Sequence, residues 1–184
     1  MKKTAALAIA MVIGGIFSAQ AEGTQILRAW DTWSPDWVTM LLRLPQALGG
    51  VLACDEIGGT PIASFSLIIR QDGQEYILFK APATGESLGR AIHIAVDHVL
   101  IGTFTVTSFD PVQNLVRATL KPTDFNRLFK LFDVGGETEI TLDRTSGVQA
   151  SLTLSLQEFS KNVIDLRSCE MEMFGFGLAS NPNH

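Results

Sequence analysis

The sequence predicts a mainly β protein, an antiparallel β-sandwich that also carries two or three short α-helices. Short β-prone segments recur along the chain, and polar turn residues separate them. Residues 148–154 alternate strictly between apolar and polar side chains, which is typical of a strand with one face in water. Because the 184-residue chain has no repeats and no internal linker, we predict a single β-rich domain over residues 22–184, after a leader over residues 1–21.

The β-prone segments indicate at least six strands. The Asp72-Gly73 pair predicts a hairpin turn between the first two, and Asp97-His98 predicts a tight turn between the next two. The predicted strands are residues 64–70, 75–80, 91–96, 99–108, 115–120, 137–143 and 148–154.

Two helices are predicted among the strands. The first begins at Pro122, carries apolar residues at helical spacing and ends at a Gly-Gly pair. The second begins at Ser155, because residues 155–158 fit a capping box, and it should end at Cys169. The apolar tail that follows is expected to add an edge strand or to dock on a partner.

Residues 34–48 fit two structures. Ser34, Pro35 and Asp36 resemble the start of a helix, whereas the residues that follow alternate as in a strand. We favour a short helix that ends before Pro45, since the residue before a proline disfavours helical backbone.

The first 21 residues indicate secretion. Two lysines precede an apolar run over residues 5–17, and Ala19 and Ala21 supply the small side chains that signal peptidase requires. We therefore predict cleavage before Glu22 and a periplasmic or secreted mature protein. The apolar run is too short to span a bilayer, which takes about 20 residues. We also expect no membrane span in the rest of the chain, because charged residues interrupt its apolar segments.

The charge of the mature chain limits its partners. The whole chain has 14 Lys and Arg against 19 Asp and Glu, a net charge of −5, and loss of the two leader lysines makes it −7. An acidic surface without a cluster of cations does not attract nucleic acid or anionic lipid. We expect instead another envelope or host protein, or a cell-surface glycan.

Cys54 and Cys169 are the two cysteines of the chain. In an oxidising compartment they are expected to form one disulfide, which would gather the acidic residues that flank them. We expect those carboxylates to form a solvated acidic patch rather than a glycosidase-like pair, since nothing sets the separation that such a pair needs. They are Asp55, Glu56, Glu170 and Glu172.

A Gly-x-Ser-x-Gly motif around Ser87 resembles the nucleophile turn of α/β-hydrolases. In those enzymes a helix follows the serine, but here a β-prone run follows, and His98 lies beside Asp97 in a predicted turn. His93 alternates with alanines on one strand face and is expected to be partly exposed. We predict no catalytic site, no metal site and no cofactor. A hydrolase using Ser87 with His93 or His98 is kept as an alternative.

Trp30, Trp33 and Trp37 are the candidate binding residues. Three tryptophans within a short stretch of the mature N-terminus can form a platform for a sugar ring or an apolar partner. The alternative is that they cover one end of the sheet, because tryptophan is highly buried on average.

Three stretches of the chain carry a resemblance to a known family. Residues 92–97 form a strand pattern, residues 118–128 run from a strand into a helix, and residues 151–160 run from a strand into a Phe-Ser helix start. Over residues 90–167 the chain resembles, in this pattern, the invasion-associated locus B family of bacterial envelope proteins. The resemblance implies a periplasmic or surface β-sandwich with a role in host-cell association, and it carries over no enzymatic site.

The sequence therefore predicts a non-catalytic binding or accessory protein of the bacterial envelope. This prediction depends on the lack of a credible triad, metal cluster, phosphate loop or carboxylate pair, and on apolar residues near both ends of the mature chain. The alternatives are a small secreted serine hydrolase and an inhibitor or immunity-type protein that binds a secreted enzyme.

Overall fold

Eleven strands and two helices form the part of the chain that the computed structural model describes, residues 24–30, 36–45, 50–60, 62–81 and 87–179. The strands are β1 (Gln25–Ala29), β2 (Trp37–Leu44), β3 (Val51–Gly59), β4 (Ser64–Arg70), β5 (Glu75–Lys80), β6 (Ala91–Val96), β7 (Val99–Thr105), β8 (Ser108–Asp110), β9 (Leu115–Thr119), β10 (Glu137–Leu142) and β11 (Ala150–Ser155). The helices are α1 (Pro122–Val134) and α2 (Phe159–Ala179).

The strands form two antiparallel sheets. The larger has the order β1-β2-β3-β4-β5-β9-β8, and the smaller has the order β11-β10-β6-β7. Helix α2 packs on β2 and β3, and helix α1 contacts α2, β5 and β7. The predicted class, mainly β and antiparallel with helices added, is confirmed, although α2 is longer than expected at 21 residues.

Aromatic side chains join the larger sheet to both helices. The ring centroid of Trp37 on β2 lies 5.0 Å from that of Phe159 on α2 and 5.9 Å from that of Phe132 on α1. Its indole N–H donates a 2.8 Å hydrogen bond to the backbone carbonyl of Ser155. Phe65 of β4 completes the cluster, edge-on to Trp37 at 6.4 Å. Such tilted and edge-to-face pairs add to the free energy gained by burial, so the cluster holds the helices on the sheet.

The β6–β7 hairpin has the tight turn that was predicted at Asp97-His98. Both turn residues have a positive φ, 48° and 66°, which is typical of a type I′ turn whose twist matches that of the strands. The Asp97 carboxylate also accepts hydrogen bonds of 3.1 Å from the backbone N–H groups of Gly136 and Glu137. These bonds tie the turn to the start of β10.

The short helix expected within residues 34–48 is wrong, because Trp37–Leu44 forms strand β2. This strand lies between β1 and β3, so both of its edges are hydrogen-bonded. Its first six residues are all buried, a pattern that indicates a strand covered on both faces rather than a helix with one apolar side. Ser34 and Pro35, which favoured the helix, lie outside the described residues.

Helix α2 begins at Phe159, later than predicted. Ser155 is instead the last residue of β11 and pairs with Glu137 on β10. Its hydroxyl accepts a 3.1 Å hydrogen bond from the backbone N–H of Gln157, so the apparent capping box forms a turn. Glu158 has a φ of 63°, which lies outside the right-handed helical region and delays the helix to the next residue.

The prediction that the second helix ends at Cys169 is also wrong, because α2 continues to Ala179. The segment expected to form an edge strand or a docked tail is the last part of this helix. Leu166, Cys169 and Met173 are all buried, at spacings of three and four residues. Helical periodicity therefore continues past the disulfide and packs this segment on the sheet.

Candidate functional site

One disulfide connects helix α2 to the larger sheet. Cys54 on β3 and Cys169 on α2 are bonded, with 5.9 Å between their Cα atoms and 115 residues of separation along the chain. This is the pair predicted from the cysteine count. The bond holds the C-terminal half of α2 against the sheet, and it therefore sets which side of that helix faces solvent.

An ion pair connects strand β1 to the C-terminal half of α2. The Arg28 guanidinium on β1 makes an ion pair with Glu172 on α2. It also lies over the ring of Trp30, 4.7 Å from the centroid, an arrangement worth about 0.5–1 kcal/mol at exposed sites. Trp30 is half-buried against the core, so part of its ring stays accessible.

Two large apolar side chains of α2 are exposed on the side of the helix away from the sheet. Met171 is 71 % exposed, and Phe174, three residues later on the same side, is 56 % exposed, whereas Glu172 lies at the flank of the helix. Exposed apolar groups that cluster beside charged groups are typical of protein-binding sites. We call Arg28, Trp30, Met171, Glu172 and Phe174 the terminal face.

Helix α2 carries apolar side chains on two sides near its C-terminal end. Cys169 and Met173 point to the sheet and are fully buried, whereas Met171 and Phe174 point away from it. Exposed large apolar side chains that lie close together on a surface are typical of binding sites. Since the sheet covers only one side of α2, the terminal face is the candidate binding surface.

The three predicted tryptophan anchors lie in different environments. Trp30 belongs to the terminal face, and Trp33 lies outside the described residues. Trp37 is 1 % exposed, and its ring and N–H are both occupied within the core. The alternative, in which tryptophan covers the end of the sheet, therefore describes Trp37, while binding by Trp30 and Trp33 stays a prediction.

Sequence reasoning missed Arg28 and Glu172 as partners, because they lie on elements far apart in the sequence. Met171 and Phe174 were noted as part of an apolar tail, but the tail was not predicted to be helical. The available signal was the helical spacing of Leu166, Cys169 and Met173. That spacing places Met171 and Phe174 on the outer side of the helix.

The solvated acidic patch expected around the cysteines is wrong for Glu56, which is fully buried. One carboxylate oxygen accepts a hydrogen bond from the Thr39 hydroxyl, and the other accepts a 3.1 Å bond from the Asn162 side-chain amide. Burial raises the pKa of Glu56 to about 8, although both hydrogen bonds act in the opposite direction. The group is therefore held largely protonated at neutral pH.

Asp55 is also buried, at 3 % exposure. Burial raises its pKa to about 8, against the lowering effect of a hydrogen bond from Ser66. Because Asp55 and Glu56 are adjacent on β3, their side chains point to opposite faces of the sheet. They cannot act together on one substrate as an acid and base pair. Their position inside a long apolar strand was the sequence signal for burial.

Among the described residues, no hydrogen bond joins Ser87 to His93 or His98, the residues of the hydrolase alternative. Ser87 is buried, and its hydroxyl has no hydrogen-bond partner among the described residues. Both ring nitrogens of His93 are engaged elsewhere: Nδ1 lies 3.1 Å from the Thr103 hydroxyl, and Nε2 lies 2.8 Å from an Asp143 carboxylate oxygen. His93 and Thr103 are direct partners across β6 and β7, so this row is typical of the polar face of a sheet.

The described residues also give two observations on membrane and metal sites. Neither described helix is long and apolar enough to cross a membrane. Within the described ranges, no three side chains of His, Cys, Asp or Glu are grouped so that they could hold a metal ion.

Comparisons with known proteins give a likeness of fold. No protein-family model matches the sequence, and no curated protein matches it. The structure is similar to the crystal structure of invasion associated protein B from Bartonella henselae, with a TM-score of 0.50 and 13 % sequence identity. The match covers 77 % of this chain and 97 % of that chain. The predicted resemblance to the invasion-associated locus B family is thus confirmed for the fold.

Proposed function

We propose that this protein is a non-catalytic binding protein of the bacterial envelope, secreted to the periplasm or the cell surface, which recognises a partner protein through its terminal face. The observation that carries the proposal is the exposure of Met171 and Phe174 on the side of α2 away from the sheet, in the same helical turn as the Arg28–Glu172 ion pair. Apolar anchors surrounded by charged groups combine affinity with orientation, as protein-binding sites require.

The exposed side chains of Met171 and Phe174 are large enough to contribute free energy to binding. Complete burial of one large apolar side chain contributes about 1.5–3 kcal/mol, so Met171 and Phe174 together supply the core of a contact. Arg28 and Glu172 would then lie at the rim, where charges set orientation more than affinity. Trp30 extends the contact on the β1 side.

Two features of the chain, its expected leader and its disulfide, support a location in the bacterial envelope. The leader expected over residues 1–21 and the Cys54–Cys169 disulfide both fit an oxidising compartment outside the cytoplasm. One solved protein with a similar fold is an invasion associated protein, which supports a role in host-cell association for this chain.

A photo-cross-linking experiment tests the proposal. The residue p-benzoyl-phenylalanine replaces Met171 or Phe174, and the chain is produced in its native bacterium and irradiated in intact cells. Replacement of Val148, an exposed apolar residue in a loop, is the matched control. We expect one discrete cross-linked partner from positions 171 and 174 and none from position 148.

A second variant separates specific recognition from nonspecific hydrophobic binding. Arg28→Glu, which places two acids side by side, should abolish the cross-link without unfolding the protein, because Arg28 is about half exposed. The same bands from all three positions, or no band from either helix position, would contradict the proposal. If the captured partner is a secreted enzyme, an activity assay of that enzyme distinguishes an inhibitor from an adhesive role.

A further inference from the structure

A second surface lies between the β6–β7 hairpin and helix α1. Its apolar wall is the first part of β7, where Val99 and Leu100 are exposed and Ile101 is half-buried. Its other wall is helix α1, with Asn126, Arg127 and Lys130. Between the two walls is an open groove of about 730 Å³.

The groove continues along the length of β7. A second cavity of about 230 Å³ is lined by Ile101, Phe104 and Arg127, among others, and it shares Ile101 and Arg127 with the first. The combined groove follows β7 from Val99 to Phe104. At about 3.3 Å per residue, this length accommodates an extended segment of roughly six residues.

Strand β7 is an edge of the smaller sheet, since its described pairing is with β6 alone. An edge strand presents backbone N–H and C=O groups that have no neighbouring strand. An extended peptide can satisfy those groups by adding a strand to the sheet, while its alternate side chains enter the adjacent groove. The exposed apolar residues Val99 and Leu100 lie at the start of this edge.

The charge of the groove differs from that of the whole protein. The chain is acidic, with a net charge of −5, yet the wall that α1 forms carries Arg127 and Lys130. Neither cation makes an ion pair among the described residues, and both are exposed. Asp124 lines the part of the groove toward Phe104, so the combined groove carries two cations and one acid. The groove therefore matches an occupant of negative charge.

We propose that this groove binds an extended, acidic segment of a partner protein, which adds as a strand to the β7 edge. Apolar side chains of the segment contact Val99, Leu100 and Ile101, and its carboxylates pair with Arg127 and Lys130. The proposal does not depend on the terminal face, because the two surfaces share no residue and lie on different elements.

Selection from a library of random ten-residue peptides displayed on phage tests the proposal. The bait is the mature protein, residues 22–184, immobilised with its disulfide intact. We expect selected peptides to alternate apolar residues with Asp or Glu. One selected peptide, labelled with a fluorophore, is then titrated with the protein by fluorescence anisotropy.

Matched charge reversals locate the binding site. Arg127→Glu should weaken binding of the selected peptide at least tenfold, whereas Arg43→Glu, which changes the net charge equally at an exposed position of β2, should weaken it less than twofold. N-methylation of alternate backbone amides of the peptide should also weaken binding at least tenfold, because strand addition needs those N–H groups. Circular dichroism confirms that both variants are folded.

Several outcomes would overturn the proposal. Two concern the selection: the absence of any selected peptide, and selected peptides without acidic residues. Two concern the titration: an equal loss with Arg127→Glu and Arg43→Glu, and full binding by the N-methylated peptide. Loss of binding with terminal-face variants but not with Arg127→Glu would place the peptide on the other surface and would equally exclude the β7 groove.

Discussion

The Asn162 side-chain amide donates a 3.1 Å hydrogen bond to the Glu56 carboxylate, and this bond joins helix α2 to strand β3 inside the protein. Thr39 donates to the other oxygen, so the Glu56 carboxyl is held from two elements. The disulfide from Cys54 to Cys169 joins the same strand to the same helix. The position of the terminal face depends on these two connections.

The buried carboxyls make stability depend on pH. Burial raises the pKa of Asp55 and Glu56 to about 8, from ordinary values of 3.8 and 4.5. Between about pH 4 and pH 8 the two carboxyls have released their protons in the unfolded chain but retain them in the folded chain. The free energy of unfolding therefore falls as the pH rises. The stabilising contribution is complete below about pH 4 and is lost as the pH passes about 8. Urea midpoints measured between about pH 5 and pH 8 should fall steadily.

Glu56→Gln is the control for this pH dependence. The glutamine keeps the shape and cannot ionise, and its amide can donate to the Asn162 side-chain oxygen, which has no partner among the described residues. We expect a stability at neutral pH within about 1 kcal/mol of wild type and a smaller loss toward pH 8. An unchanged slope in this variant would show that Glu56 is already ionised in the folded protein.

Removal of the disulfide should weaken the whole fold. Replacement of both Cys54 and Cys169 by alanine releases a loop of 115 residues in the unfolded chain, for which loop entropy predicts a loss of about 5 kcal/mol. Urea unfolding with and without a reducing agent measures this loss. Wild type should fall to the level of the double variant on reduction, and the double variant should not respond. A response of the variant would indicate an effect of the reductant other than on this bond.

Two tryptophan substitutions distinguish core from surface. Trp37→Phe removes the hydrogen bond to Ser155 and leaves a cavity among Phe65, Phe132 and Phe159, so it should cost about 2–4 kcal/mol of stability. Trp30→Phe should cost less than about 1 kcal/mol, because Trp30 is only half-buried. Chemical unfolding compares the two. Equal losses would mean that Trp30 is as much a part of the core as Trp37.

The half-buried His93–Asp143 contact should be visible in an NMR titration of the Asp143 carboxylate. Hydrogen bonds from His93 and Gln149 hold the pKa of Asp143 below its ordinary value, so their small stabilising effect is present at neutral pH and is lost as the pH falls through that lowered pKa. In His93→Ala, the Asp143 pKa measured by NMR should rise toward the ordinary value. Gln149→Ala should give a smaller rise. No change in either variant would contradict the contact.

Local features of the sequence determined most of the strands and turns. The alternation over residues 148–154 and the turn at Asp97-His98 depend only on neighbouring residues, and both correspond to structure close to where they were predicted. The first helix was predicted with its correct start at Pro122, because proline at a helix start acts through its own backbone. The cysteine count gave the disulfide, since two cysteines allow one intramolecular pair.

Only the tertiary structure decided that β2 is a strand and not a helix, how long α2 is, and that Glu56 is buried. Trp37–Leu44 is a strand because β1 and β3 pair with both of its edges, and no local pattern contains those partners. The pKa of Glu56 is raised because the assembled core buries it, against the lowering effect of the hydrogen bond from Asn162, 106 residues away. The sequence by itself therefore determined the features that arise from nearby residues. The terminal face and the buried carboxyls depend on contacts between distant elements. Those contacts form, and contribute to stability, only once the sheet and helices have assembled.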